Sequence, residues 1–527
     1  MTTTSPRPWH ACWPIHVPRS IAYPSLPAWA LLEASVQRSP RRVAIREVDH
    51  LTLAEGRVLT YEALFRATRG VAAGLGAAGV SPGARVGLVL PNSAALVIGF
   101  YALWYAGAVA VPVNPAARAP EVVRQFLDAG VSLVIGQAGG PGAAAARELR
   151  LPFIDMAALA WLEAKPPASP PAGQTPDDLA VILYTGGTTG VSKGVMLSHR
   201  TIVLNTLQFG TWYAFGPAEE VVVSAIPMFH AGGLSGVMNV PLSMGGTLLV
   251  FPRFAAPAVA HAVAAYRVTR LFGVPTIFIA LLNDQAGRRA DYSTLRACRT
   301  NATSLPVAVK EAFDALVGRP VLVEGYGLTE MTTLVHANPI ERAKAGFIGI
   351  PLPDTDARVV DAVTGVEVPA GVAGELHVRG PQMMRGYWNR PRETADALCD
   401  GWLRTGDVAV MDHEGYFAIV GRTKDVINTA GFKVWPREVE EVLGTHPAVK
   451  MTLVVGVPDD YRGEAVKALV VLKDEWRGRV TADDIAEYGR ARLTGYKAPR
   501  HVEVCDALPM NEVGKLLRRV ATPPRQG

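Results

Sequence analysis

Cysteine is scarce. The 527-residue chain has four, Cys12, Cys298, Cys399 and Cys505. They lie far apart and never in C-x-x-C spacing, which excludes a thiolate zinc site and a disulfide framework and points to a reducing, cytoplasmic setting. Charge of one sign is lacking too. Fifty-two Lys and Arg against 47 Asp and Glu leave +5, and without a long basic run nucleic acid is not expected as a partner. The first residues, MTTTSPRPWHACWPIHVPRS, contain no apolar h-region and do not read as a secretory signal. One run, Val86 to Ala117, carries no charge and is long enough to span a bilayer. Its punctuation argues against that. RVGLVL reads as a strand, PNS as a turn with a helix N-cap, AALVIGFYALWYA as a buried helix ended at Gly107, and AVAVPV as a second strand. The expectation is a β-α-β core with no transmembrane segment.

What the chain does have is 49% apolar and 19% charged residues, the balance of a protein that forms cores, at a length that predicts several domains. Short apolar runs at 221–226, 247–251, 269–273 and 320–327 read as strands, and 256–266 and 306–317 as helices between them. This alternation predicts α/β layers with largely parallel sheets, whose ligands gather at the carboxyl ends of strands. Two low-complexity patches, 137–148 and 164–176, read as surface connections. Near residue 421 the chain becomes more charged and shorter in its periods. A boundary at Arg422–Asp425 divides it into residues 1–421 and a unit of ordinary domain size, 422–527.

Five stretches could carry chemistry. YTGGTTGVSKG, Tyr184 to Gly194, follows a strand at Leu179 to Tyr184 and has the makings of an anion cradle: backbone N–H groups freed by glycine, hydroxyl donors and a lysine. It does not fit the G-x-x-x-x-G-K-[ST] nucleotide loop, because Ser192 precedes Lys193. EGYGLTE, Glu324 to Glu330, offers an aromatic between glycines that can lie against a base, a threonine for a phosphate, and a carboxylate suited to magnesium. GWLRTGD ends on Asp407, a carboxylate able to accept from two ribose hydroxyls. Arg422 opens GRTKDVINTAGFKVWPREVE, and Lys515 lies in LPMNEVGKLLRR. Singly each is also explained by an ordinary turn, cap or solvated side chain.

Together, in this order, they resemble the adenylate-forming superfamily of acyl-CoA synthetases, luciferases and peptide-synthetase adenylation domains. The resemblance runs from about residue 28 to 520 and is nearest the bacterial long-chain fatty acid–CoA ligases. YTGGTTGVSKGVMLSHR, VEGYGLTE, GIPLPDTDARVVD, GELHVRGPQMMRGYW, GWLRTGDVAVMD and LTGYKAPRHVEV carry it. It implies a large N-terminal domain of layered α/β sheets with a β-barrel-like subdomain, and a small mobile α+β C-terminal domain. It implies a two-step reaction. A carboxylic acid, of the medium- or long-chain fatty class, attacks Mg·ATP to give acyl-AMP, and CoA then takes the acyl group.

By the same resemblance Thr185, Gly186, Gly187, Thr188, Thr189, Gly190 and Lys193 cradle the β- and γ-phosphates. Glu324, Gly325, Tyr326 and Gly327 form the adenine platform, with Thr303 in the turn that wraps the adenine edge. Thr329 bonds the α-phosphate, Glu330 holds Mg2+, and Asp407 and Arg422 bind the ribose. Lys515 bridges acid and nucleotide, and His230, in IPMFHAGGLSG, lies beside the acyl carboxylate. Lys424 is the hinge of the mobile domain, and Ala430, Gly431, Phe432 and Lys433 line the CoA channel. The resemblance is compatible with peripheral membrane contact and with a homodimer.

Two departures stand out. Ser192 takes the place of a proline, which should matter little. Asn301, Ala302, Thr303 and Ser304 replace a glycine-rich turn, which puts Cβ atoms where relatives approach closely. Two rival readings stay open at this stage. One is an adenylating enzyme for aryl or other acids, or with a carrier-protein acceptor. The other is a nucleotide- or lipid-binding homologue without catalysis.

Overall fold

A computed structural model describes residues 7–185, 192–217, 219–301, 303–430, 432–459, 461–510 and 516–521. Two large sheets dominate. In the first, of nine strands, the inner strands Val43–Val48, Thr247–Val250, Val221–Val223, Arg270–Gly273, Ala297–Thr300 and Leu322–Gly327 run parallel, and antiparallel strands close both edges. The second, of seven strands, is parallel from Phe153–Asp155 to Leu179–Thr185 and then turns antiparallel through Lys193–Ser198 and Gly386–Tyr387. One apolar core runs through both. The mixed α/β class of the sequence reading is what the chain adopts.

The uncharged run folds as its punctuation predicts. The strand Arg85–Val89 leads to Ser93, whose hydroxyl accepts from the Leu96 N–H at 3.1 Å and caps the helix Ala94–Tyr105. That cap satisfies one orphan donor of the first turn. Eleven of the helix's twelve residues are buried, which explains why the helix needs no polar face. Gly107 takes a φ of +74°, and the strand Val109–Pro112 follows. Among the described residues no helix is long and apolar enough to cross a membrane. The patch 137–148 differs from its reading as a surface connection. Residues Pro141–Leu149 form a helix that buries Gly142, Ala145 and Ala146, because small side chains let the helix sit close on the sheet: a Cβ on Gly142 would come 2.8 Å from Val89.

The subdomain expected to be barrel-like is a five-stranded antiparallel sheet built on Asp356–Val360, Gly374–Arg379 and Trp402–Met411. The strand Phe417–Arg422 pairs with its long central member. After Arg422 comes a turn, in which the Asp425 N–H bonds the Arg422 carbonyl at 3.0 Å, and then a smaller five-stranded sheet. Its long pair, Val449–Asp459 and Gly463–Leu472, and the helices Pro436–Gly444 and Ala482–Arg490 enclose apolar clusters of their own. Arg437 reaches back to the Ile419 carbonyl, and also to that of Gly346 at 3.3 Å.

Candidate active site

Four parallel strands of the nine-stranded sheet, ending at Val223, Gly273, Thr300 and Gly327, deliver their carboxyl ends to one edge. The loops that leave this edge carry His230, Asn301 and the segment from Tyr326 to Glu330. The last of these meets the antiparallel subdomain. The Tyr326 hydroxyl donates to Asp407 Oδ2 at 2.6 Å, and Arg422 Nε pairs with Oδ1 of the same carboxylate at 2.8 Å. Asp407 and Arg422 face each other across two paired strands, so the sheet register itself sets this contact. Asp407 is buried. Burial, and then the neighbouring carboxylate, push the Tyr326 phenol well above its usual range, while Asp407 raises that of Arg422. Both carboxylate oxygens are held, and each keeps a second lone pair with which to accept a ligand hydroxyl.

A second cluster lies along the same segment. Glu330 Oε1 accepts from the Tyr387 hydroxyl at 2.9 Å, and Lys193 Nζ sits 4.9 Å from the centre of the Tyr387 ring. Tyr387 thus joins the lysine of the glycine-rich loop to the carboxylate of EGYGLTE. The sequence reading assigned it no role, although it lies in the quoted motif GELHVRGPQMMRGYW. The backbone here is constrained. Thr332 has a φ of +63° and is pinned by its hydroxyl, which donates to the Gln382 carbonyl at 2.8 Å. A Cβ on Gly327 would fall 1.7 Å from the Thr333 carbonyl oxygen.

Thr185 and Lys193 are cross-strand partners at the neck of the loop, and the Ser192 hydroxyl donates to the Thr185 carbonyl at 2.7 Å. Ser192 therefore ties the neck together. Gly186, Gly187, Thr188, Thr189 and Gly190 lie outside the described residues, as do Ala302, Gly431 and Lys515. Thr329 is half-buried in the turn with Glu330. His230 is half-buried, packed 4.8 Å from the Phe229 ring, and burial pushes its imidazole down to about 4, so it is neutral at pH 7. The segment after it, Gly233–Asn239, is a π-helix.

Glu324 is buried and accepts from the Leu305 N–H at 3.2 Å; burial raises its carboxyl to about 7. Alternation along the strand puts Glu324 and Tyr326 on one face and Gly325 on the other. Thr303, also half-buried, lies two residues before Leu305. Lys424 occupies the turn after Arg422, where the Thr423 N–H bonds the Gly406 carbonyl at 3.0 Å. Ala430 turns the hairpin Ile427–Thr429/Phe432–Val434 with a φ of +49°. Phe432 and Lys433 are exposed, and the Phe432 ring stacks on Tyr496 at 4.5 Å.

Comparison with known proteins bears on this arrangement. The profile of the AMP-binding enzyme family matches residues 32–388, and that of the AMP-binding enzyme C-terminal domain matches 438–515. A long-chain-fatty-acid–CoA ligase of Bacillus subtilis (strain 168) is 36% identical over 98% of this chain and 97% of its own length. A feruloyl-CoA synthase of Amycolatopsis sp is 37% identical over 94% and 97%. The ATP-bound crystal structure of MatB from Rhodopseudomonas palustris superposes with a TM-score of 0.86 at 30% identity, covering 94% of this chain and 98% of that one. The chain belongs to the AMP-binding enzyme family, and within it to the acyl-CoA synthetases.

Proposed function

We propose that the protein activates a medium- or long-chain fatty acid with ATP and transfers it to CoA. The carboxylate attacks the α-phosphorus, pyrophosphate leaves, and the CoA thiol then displaces AMP from the mixed anhydride. The observation that carries this reading is the Tyr326–Asp407–Arg422 contact beside the Glu330–Tyr387–Lys193 cluster. One group suits a nucleoside and the other its phosphates, and both lie at the sheet edge where an α/β fold gathers its loops. The near full-length likeness to a fatty-acid–CoA ligase supports the choice of acid. An aryl acid is the second reading, favoured by the comparable likeness to a feruloyl-CoA synthase.

In this reading Asp407 and Arg422 hold the ribose and Tyr326 lies on the adenine. Thr185 to Lys193 take the outgoing phosphates, and Thr329 takes the α-phosphate. A weak carboxylate nucleophile and an anionic phosphate meet only if charge is offset and the two are aligned. Lys193 and Lys515 would supply that charge. Neutral His230 would lie beside the acid without adding to it. Magnesium fits Glu330, because this ion takes one or two carboxylates and completes its shell with phosphate oxygens and water. When bound it would offset phosphate charge. Residues 422–527 would turn about Lys424, so that Lys515 leaves and the loop at Ala430 to Lys433 reaches CoA.

ATP–pyrophosphate exchange over a panel of acids, with and without CoA, tests the reading. Lys515→Ala should lose exchange by roughly 10²–10³-fold, yet form thioester from supplied acyl-AMP. Equal loss of both steps would refute that role, and no acid-dependent release of pyrophosphate would refute the function.

A further inference from the structure

Among the described residues, Arg299 is a cation buried without a counter-ion. It lies on the strand Ala297–Thr300, with 1% of its surface exposed. Its guanidinium stacks over Phe209 at 4.6 Å and Phe272 at 5.8 Å. Nη2 meets Asn301 Oδ1 at 3.2 Å, in the amide orientation that also lets Asn301 Nδ2 donate to the Gly273 carbonyl. Among the described residues, Nε and Nη1 have no hydrogen-bond partner. The titratable group that acts on Arg299 is the Tyr213 phenol, whose hydroxyl is itself buried and unpartnered; no carboxylate of the described residues does so. Burial opposes the charge, but a guanidinium does not give up its proton in a protein. A buried, unpaired charge is among the costliest features a fold can carry, and ring faces offset only part of that cost.

Its position suggests what would offset the rest. Strand register sets Phe272, Arg299 and Val323 side by side. That is the face opposite Glu324 and Tyr326, so Arg299 lies away from the adenine side. It is nonetheless close to the chemistry. A Cβ on Gly325, one residue before Tyr326, would stand 3.2 Å from Arg299 Cδ. On the other flank, Asn301 lies 3.4 Å from the Cβ position of Gly232, two residues after His230. Arg299 thus borders the strand that carries Tyr326, and its partner Asn301 borders the loop that carries His230. Among the described residues, two more hydroxyls, on Thr206 and Ser235, are buried without partners. Thr206 is one turn before Phe209 on the same helix, and Ser235 adjoins Gly236, whose Cβ position touches the Phe209 ring.

We propose that Arg299 is a specificity-determining residue of the acyl pocket and selects an aliphatic acid carrying a second carboxylate. The Nε and Nη1 donors of Arg299 would take that carboxylate as a bidentate pair, and Phe209 and Phe272 would pack its methylenes. The proposal rests on the acyl-CoA synthetase reading above and narrows its substrate class. A site built to bond a charged group rejects the analogue that lacks it, by roughly 100-fold or more.

The test is pyrophosphate release by the full chain with saturated mono- and dicarboxylic acids of matched length. Arg299→Met and Arg299→Lys are assayed in parallel, with melting temperatures. Wild type should favour a diacid of one length over its monoacid by about 100-fold in kcat/KM. Arg299→Met should reverse the preference, and Arg299→Lys should keep part of it. A merely structural arginine would change the melting temperature and leave the ratio alone. Monoacids turned over by wild type as well as diacids, or better, would overturn the proposal and leave the proposed function standing; this arm needs no variant. Release with no acid of any kind would overturn both.

Discussion

At the scale of single residues, Tyr387 and Glu324 show how tertiary contacts alter what a side chain can do. Tyr387 bonds Glu330 and underlies Lys193. A hydrogen bond to a charged group is worth about 1.5–3 kcal/mol. Tyr387→Phe should therefore slow ATP–pyrophosphate exchange by about 10–100-fold and leave thioester formation from supplied acyl-AMP unchanged. An unchanged exchange rate would remove Tyr387 from the site. Glu324 is a carboxyl whose burial raises it from 4.5 to about 7. Between those values the folded chain keeps a proton that the unfolded chain has released, so stability falls as pH rises across that window. The fall is on the order of 3 kcal/mol. Urea denaturation from pH 4.5 to 7 should show that slope in wild type and a flatter one in Glu324→Gln.

Elements set where these residues stand. The hairpin from Leu179 to Ser198 faces Thr185 with Lys193, and Ser192 bonds across its neck. The serine that breaks the familiar nucleotide-loop spelling thus has a structural use. Pro241 lies just after the π-helix Gly233–Asn239; lacking an N–H, it cannot close a regular α-turn there. The wide turn lies in the loop that carries His230, and such turns recur at functional sites. Gly327 is required by closeness, since any side chain would strike the Thr333 carbonyl. Gly327→Ala should cost about 2–3 kcal/mol, read as a lower urea midpoint. A midpoint unchanged from wild type would mean that the strand end yields to a Cβ.

For the molecule as a whole, the turn after Arg422 is held by a contact from far along the chain. Arg518, near the chain's end, pairs with Glu440 (Nη2 to Oε2, 2.8 Å) and with Asp425 at 3.7 Å, in the turn that carries Lys424. The proposed hinge is thus in contact with the segment that follows Lys515. Lys424→Pro should stiffen that turn, because proline fixes φ, and should change either adenylation or thioester formation, not both alike. Two unchanged rates would place the hinge elsewhere.

Much of the fold is legible in the chain. Ser93, Gly107 and the apolar runs around them mark a strand, a capped helix and a second strand by local chemistry alone, since capping and chain reversal depend on residues close in sequence. The strand end at Tyr326 could be suspected for the same reason, whereas Asp407 stands in the middle of the strand Trp402–Met411. Asp407 and Arg422 were legible as separate candidates, 15 positions apart, but their pairing arises from strand register. Tyr387 and Arg299 escaped the reading because nothing local distinguishes them from any tyrosine or arginine. Tyr387 gains its place when the segment 384–387 is laid beside Lys193 and Glu330. Arg299 becomes an unpaired buried cation when the helix His199–Trp212 covers its strand. Chemistry local to the backbone was settled by the sequence; which charges are buried, and against what, was decided by tertiary structure, because desolvation depends on every element that closes over a group.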